Sequence, residues 1–430
     1  MKAPVNPNYC ASIVEINKLI PIENADNLQA AIIYGNSVIV GKNLQHGTKG
    51  LFFPLECQLG DQFLQKHSLY RDKTKNLNPD KAGFFEQSGR IRAVKLRGNK
   101  SEGFFIQLDE LHSDYSELKT LDVGTEFDYM GAERICRKYI VKEVESKTNK
   151  QGRQGSAPKF TRLVENQFHL HVDSIQAKKY FDYIKPDDLI YITDKWHGTS
   201  AVFSNVITNI PLKWYEKLLL KIGVNVRTTE YGNVYSSRKV VKNQYINEQV
   251  NGGFYGTDVW GYVNNDLKDL IPKGVSLYGE IVGYIPGSGK EIQPGYIYGC
   301  QLNTCEFRLY RITNTNADGV VTEYTWQQIK DFCNKFGLKY VPEFYYGFAK
   351  NLYPDIPVDR DWNENVLKRL MTDYNLEKKC QYNKGKPAEG VVIRQEKLYD
   401  CIPLKLKSFA FMEYETKLLD TGTSDIESEQ

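Results

Sequence analysis

No Cys-x-x-Cys pair occurs in this chain, although it holds eight cysteines, at positions 10, 57, 136, 300, 305, 333, 380 and 401. That excludes a zinc ribbon and a thioredoxin-like redox motif, and leaves lone thiols buried in a reducing compartment as the plain reading. No apolar run is long enough to span a bilayer. The opening residues, Met1-Lys2-Ala3-Pro4-Val5-Asn6-Pro7, lack the apolar core of a signal peptide. A large charge imbalance is missing as well. The formal net charge is +3, too small to diagnose nucleic-acid binding by itself. No internal repeat is visible. These absences predict a cytoplasmic protein with no membrane partner.

What is present is an ordinary globular composition with many aromatics: 29 Tyr and 20 Phe, most of them needed by cores and strands. A length of 430 residues suggests two or three domains. Residues 11 to about 140 read as short strands separated by Gly, Asn and Asp, such as Ser12–Ile16 and Val38–Lys42, which suggests a small barrel. The run Arg90-Ile91-Arg92-Ala93-Val94-Lys95-Leu96-Arg97-Gly98-Asn99-Lys100 is the most basic part. Strand alternation would put Arg90 and Arg92 on one face and Lys95 and Arg97 on the other. With Phe104 and Phe105 beside it, the run suits an OB-like barrel tracking a polynucleotide, or equally a solvated edge strand.

Residues 146–160 are polar and aperiodic, the best linker candidate. Asp173 is placed to cap a helix over 174–181. His169 and His171 share a strand face, but no third ligand lies nearby, so a structural role is expected. Pro211 to Gly223 is studded with lysines and reads as an amphipathic helix packed on the domain, or more weakly as a nucleic-acid contact. Helices are predicted over Thr325–Gly337 and Asp361–Leu376, and a disordered acidic tail from Asp420.

Lys195 follows the alternating apolar run Leu189-Ile190-Tyr191-Ile192, which reads as a half-buried strand. A lysine at the lip of such a strand can lose its proton, because burial disfavours the ammonium form and exposes a nucleophilic amine. Gly198 would leave room for a nucleotide to approach the backbone. Downstream come Ser237-Arg238, Gly279-Glu280, the strand Glu306-Phe307-Arg308-Leu309-Tyr310-Arg311, then Glu389-Gly390-Val391-Val392-Ile393, and finally Lys405-Leu406-Lys407. Each alone is bland: a bulge with an exposed acid, or an edge strand with outward lysines.

The set in this order resembles the nucleotidyl motifs of the covalent nucleotidyltransferases, the superfamily of polynucleotide ligases and mRNA capping enzymes. Lys-x-His-Gly-Thr is most similar to RNA ligases. The Leu-Arg-Gly-x-x-Ser-Glu-Gly-Phe run is similar to the N-terminal OB domain of the RNA ligase 5 family. The resemblance implies an α+β chain: an OB-like β-barrel over 1–145, a linker over 146–160, an antiparallel-sheet, ATP-grasp-like nucleotidyltransferase domain over 161–418, and a flexible tail over 419–430. It implies an ATP-dependent RNA ligase that acts through lysyl-AMP on Lys195, assisted by Lys405 and Lys407. Mg²⁺ or Mn²⁺ would be held by Glu389 and Glu280, and the partner would be RNA or an RNA-containing nicked duplex, bound by a monomer. Phe307 would stack on adenine and Arg238 reach the ribose or the 5′-phosphate strand. Asp194 and Trp196 would line the adenine pocket, and Ser200 stands where some relatives carry Asn near the reactive 3′ end. His197 replaces an acid that DNA ligases typically carry, and Arg311 an Asp that many relatives have. The rivals are a DNA ligase, a GTP-dependent capping enzyme, and a non-catalytic RNA-binding protein on a ligase scaffold.

Overall fold

A computed structural model describes residues 3–23, 25–140, 160–245, 255–374, 379–383 and 385–421. The linker expected over 146–160 falls almost wholly outside these residues, as does the tail beyond 421.

The N-terminal region is built on two antiparallel sheets. Strands Glu126–Phe127, Ala11–Glu15, Lys49–Pro54 and Gly103–Gln107 lie side by side in that order. Leu19–Pro21, Leu28–Ile33 and Asn36–Gly41 form the second sheet. Alternation divides the first sheet between two cores: Ala11, Ile13, Leu51 and Phe53 face one, and Val14 and Phe52 face the other. Among the described residues these sheets, with three two-stranded ones, remain separate and no closed barrel forms.

The basic run does not alternate as the sequence suggested. Only Val94–Leu96 is strand, turned back onto Asn99–Ser101 through Arg97 and Gly98, both at positive φ. The Arg90 side chain is 1% exposed. Its guanidinium grips Glu56 with two bonds of 2.8 Å, reaches Asp420 at 3.1 Å, and lies over the Tyr139 ring. Lys95 pairs with Glu413 at 3.5 Å, and Lys95 and Lys100 both approach the Phe409 ring. The cations are therefore spent on the last helix, Phe409–Asp420. Asp420, expected to begin a disordered tail, ends this helix instead. A second seam lies opposite, where Lys178 pairs with Glu102 and Lys179 with Glu126, each at 2.7 Å. Asp173 caps no helix there. The helix is short, Ala177–Tyr180, and Asp173 is ion-paired with Arg238.

The rest of the chain is two largely antiparallel sheets. The first runs Ile175–Gln176, Leu404–Lys407, Gly390–Gln395, Leu189–Lys195, Glu343–Phe348. The second runs Thr229–Ser236, Thr199–Asn209, Val275–Gly283, Cys305–Thr315, Val321–Glu323. The Lys195 strand is buried on both faces. Ile190 and Ile192 pack under helix Trp362–Asp373, and Tyr191 packs into the core of the second sheet. Helices Val259–Leu267 and Trp326–Phe336 cover that core, with Trp260 and Trp326 fully buried. Each such ring removes about 200 Å² from water, or about 5 kcal/mol at about 25 cal/mol per Å². Trp326–Phe336 has the predicted ends, a Thr325–Gln328 capping box and a left-handed Gly337.

Arg90→Ala should leave the half-buried Glu56 without its ion-pair partner. The expected cost is about 3–5 kcal/mol, read as a lower urea midpoint. Unchanged stability together with weakened RNA binding would restore the polynucleotide role for this run.

Candidate active site

Trp196-His197-Gly198 is all the chain that separates the two sheets at this point, because one strand ends at Lys195 and the next begins at Thr199. Gly198 is required here by packing. A Cβ would sit 2.5 Å from the Ile281 carbonyl oxygen, so a strand of the second sheet makes a close approach that excludes any side chain here. Trp196 is buried, stacked on Tyr298 at 4.0 Å with Arg308 over its ring. His197 is held edge-on by Tyr296 and Phe411. Burial pulls its pKa down to about 4, so it is neutral.

The crossing opens a cavity at the ends of both sheets. It is lined by Asp194, Lys195, Trp196, His197, Ser200, Arg238, Glu280, Glu389, Lys405 and Lys407, among others. Nine of the ten residues picked from sequence as binding or catalytic therefore meet here. Register explains the core of the set: Gly390 pairs with Lys195 on one side and Lys407 on the other. Gly390 has φ 144°, and a Cβ there would lie 2.0 Å from the Leu406 carbonyl oxygen. Only glycine fits, and the neighbouring Glu389 turns into the cavity. One oxygen of Glu389, Oε1, takes Lys195 Nζ at 2.7 Å and Lys407 Nζ at 3.6 Å. Its Oε2 is buried without a hydrogen-bond partner. Lys407 is also held by Glu415 at 2.9 Å. Burial works against the charge on Lys407, but Glu415 and Glu389 outweigh it and raise its pKa. Burial opposes the charge on Glu415 too, yet Lys407 holds its pKa down at about 2.

Lys405 is the exception. Burial, with the charges of Lys407, Lys195 and Arg238 added, pulls its pKa down to about 7. Lys195, unlike Lys405, has a carboxylate partner in Glu389. Asp194 accepts the Trp196 indole N–H at 2.9 Å, yet burial still pushes its carboxyl up to about 7.

The tenth residue, Phe307, is elsewhere. It pairs with Ile281 and packs edge-on against Phe203 in the core of the second sheet, while Glu280 and its partner Arg308 share the opposite face. A bulge between Tyr278 and Gly279 re-registers the strand, and the aromatic on the cavity side is Tyr310. Its hydroxyl meets His171 Nδ1 at 2.9 Å, and Arg394 lies over its ring. Val341 and Val392 line the same cavity. Tyr310, Arg394, His171 and Glu415 were all missed. Counting by two from Glu306 along its own strand could have suggested Tyr310; nothing local points to Arg394 or Glu415. Arg311, puzzling in the sequence, pairs with Glu323 behind the site. The N-terminal region adds Tyr9, Glu56 and Lys138 to the wall.

A sequence model of the RNA ligase family matches residues 188–407, just over half of the chain and every motif around this cavity. The chain belongs to the RNA ligase family. No curated protein is similar enough in sequence to count as a relative. Solved structures of the Naegleria gruberi RNA ligase are similar in fold. A lysine-to-methionine mutant with AMP and Mn superposes with a TM-score of 0.59 at 14% identity, covering 94% of this ligase and 98% of that chain. A glutamate-to-alanine mutant with AMP and Mn gives 0.60 at 14% identity over 94% and 98%. The form with PPi gives 0.58 at 14% identity over 95% and 98%. At such identity the likeness establishes the shared fold.

Tyr310→Ala should weaken nucleotide binding by roughly tenfold or more, the loss of a stacking surface, and should also lower stability because Tyr310 is a buried part of the core. Phe307→Ala, at a half-buried side chain outside the cavity, should lower stability and leave nucleotide binding unchanged. Calorimetric titration and thermal melts separate the two.

The unfolded lysine keeps its proton to pH 10.5 and the folded Lys405 only to about 7, so stability should rise with pH across that window. Lys405→Met should therefore raise the melting temperature most below pH 7, and the gain should shrink as pH rises toward 10.5.

Proposed function

We propose that this RNA ligase joins a 3′-OH to a 5′-phosphate end using ATP, through AMP bound covalently to Lys195. The observation that carries this reading is the shared Glu389 oxygen: it places a lysine beside a second, permanently charged lysine at the mouth of an apolar slot. Tyr310, Val341 and Val392 offer flat apolar surface for a base, with Asp194 at its edge. Arg238 and Lys405 supply positive charge for the phosphates. The 30%-exposed Arg238 is held ready by Asp173.

In the first step the Lys195 nitrogen attacks the α-phosphorus. An N–P bond forms, the bond to the bridging oxygen breaks, and pyrophosphate leaves. Lys195 must give up a proton, and Glu389 is the carboxylate already in contact with it. Lys405 and Lys407 stabilise charge developing on the phosphate. The AMP then passes to a 5′-phosphate oxygen, giving a 5′–5′ anhydride and returning the lysine. Finally the 3′-OH attacks the 5′-phosphorus and AMP leaves.

The donor set fits a divalent cation, because Glu389 offers a buried unpartnered oxygen and Glu280 a second carboxylate on the wall. When bound, Mg²⁺ or Mn²⁺ would polarise the phosphate and favour the neutral amine. His197, caged by Tyr296 and Phe411, adds no carboxylate to that set. We further propose that residues up to about 145 form an accessory domain holding the RNA or RNA-containing nicked duplex, and that the enzyme works as a monomer. The 2′-OH and A-form shape at the 3′-OH end are what it would read.

Incubation with α-labelled ATP and magnesium should place AMP on Lys195, located by peptide mass spectrometry. Lys195→Ala should take no label. Label from GTP alone would make the protein a capping enzyme. Equal sealing of ribose and deoxyribose 3′-OH ends would remove the RNA preference.

A further inference from the structure

The segment expected to pack on the domain does not. Helix Trp214–Lys221 joins strands Thr199–Asn209 and Thr229–Ser236, and it has no buried residue. Trp214 is 77% exposed, Ile222 68% and Leu218 54%. At 100° per residue, Trp214, Tyr215, Leu218, Leu219 and Ile222 share one arc. Lys217 and Lys221 lie along one edge of that arc. Lys213 and Arg227 lie just outside the helix, and the one acid, Glu216, is used on the Lys213 backbone N–H. Leaving this much apolar surface in water is unfavourable, and no core cluster includes it.

We propose that this helix docks the ligase on an anionic lipid surface. An exposed tryptophan with aliphatic neighbours and a border of cations suits the boundary between headgroups and acyl chains. RNA would engage the aromatics and the cations but has no use for Leu218 and Ile222. A second copy of the chain would bring the same cations against these. The expectation of no membrane partner rested on the lack of a spanning run. None of the described helices can cross a bilayer, but a helix lying in the surface needs no such run. Position also agrees. The helix begins beyond Asn209, nine residues along the strand from Ser200 in the cavity, so at about 3.3 Å per residue it sits roughly 30 Å from the active site. The cavity would stay open to RNA while the helix is docked.

The full chain is tested with vesicles of phosphatidylcholine alone and with added phosphatidylserine. Co-sedimentation is expected only with phosphatidylserine, and it should weaken as salt rises. Trp214 is the exposed tryptophan, the other four being buried, so docking should shift its emission to the blue. Trp214→Glu, and separately Lys217→Glu with Lys221→Glu, should cut binding roughly tenfold or more while adenylation proceeds as in the wild type. No binding to phosphatidylserine vesicles, or binding that survives both variants, would overturn the proposal. So would a Trp214→Glu variant whose defect is lost RNA affinity, or the loss of a dimer seen by light scattering.

Discussion

A single buried carboxylate oxygen has two lysines to satisfy, and the site is arranged around that demand. Glu389 Oε1 is the counter-ion of Lys195 and stands near Lys407, which Glu415 also holds. The four charges alternate in sign along one line, so each is stabilised by its neighbours where burial alone would penalise it. Lys405 lies beside the line and lacks that compensation, and it is the lysine whose charge is weakened. Two lysines one residue apart on a strand thus differ in character, because one meets a helix carboxylate and the other does not.

The motifs were legible because each lies within or beside a single strand, and strands can be read from local pattern. Lys195, Glu280, Glu389, Lys405 and Lys407 reach one cavity by register alone. The capped helix at Trp326–Phe336 was legible for the same reason, since its start and stop lie within its own sequence. The failures are all long-range. Phe307 is the first aromatic of its strand, but it pairs with Ile281, one residue on from Glu280, so the pairing across two distant strands turns it to the face opposite the cavity. Asp173 had the composition of a helix cap and was drawn instead to Arg238, 65 residues away. The run from Arg90 carried the charge pattern of a nucleic-acid track, yet its partners Glu413 and Asp420 lie more than 300 positions later. The barrel expected around that run does not close among the described residues.

Domain docking and chemistry are not separate problems in this fold. Arg90 is buried, and Glu56 half-buried, between the N-terminal region and the body of the enzyme. Glu56 also accepts a hydrogen bond from Thr416 at 3.2 Å, one residue from the Glu415 that steadies Lys407. The same short helix is thus read from both sides.

That sharing gives the terminal helix a role out of proportion to its dozen residues. A single break within it would undo one of the two seams that hold the N-terminal region, leaving only the Lys178 and Lys179 pairs, and in the same event leave Lys407 without its second acid. Damage there would not stop at a loosened N-terminal region. It would disarm the lysine cluster as well, so the helix acts as a built-in interlock between an assembled molecule and a competent one.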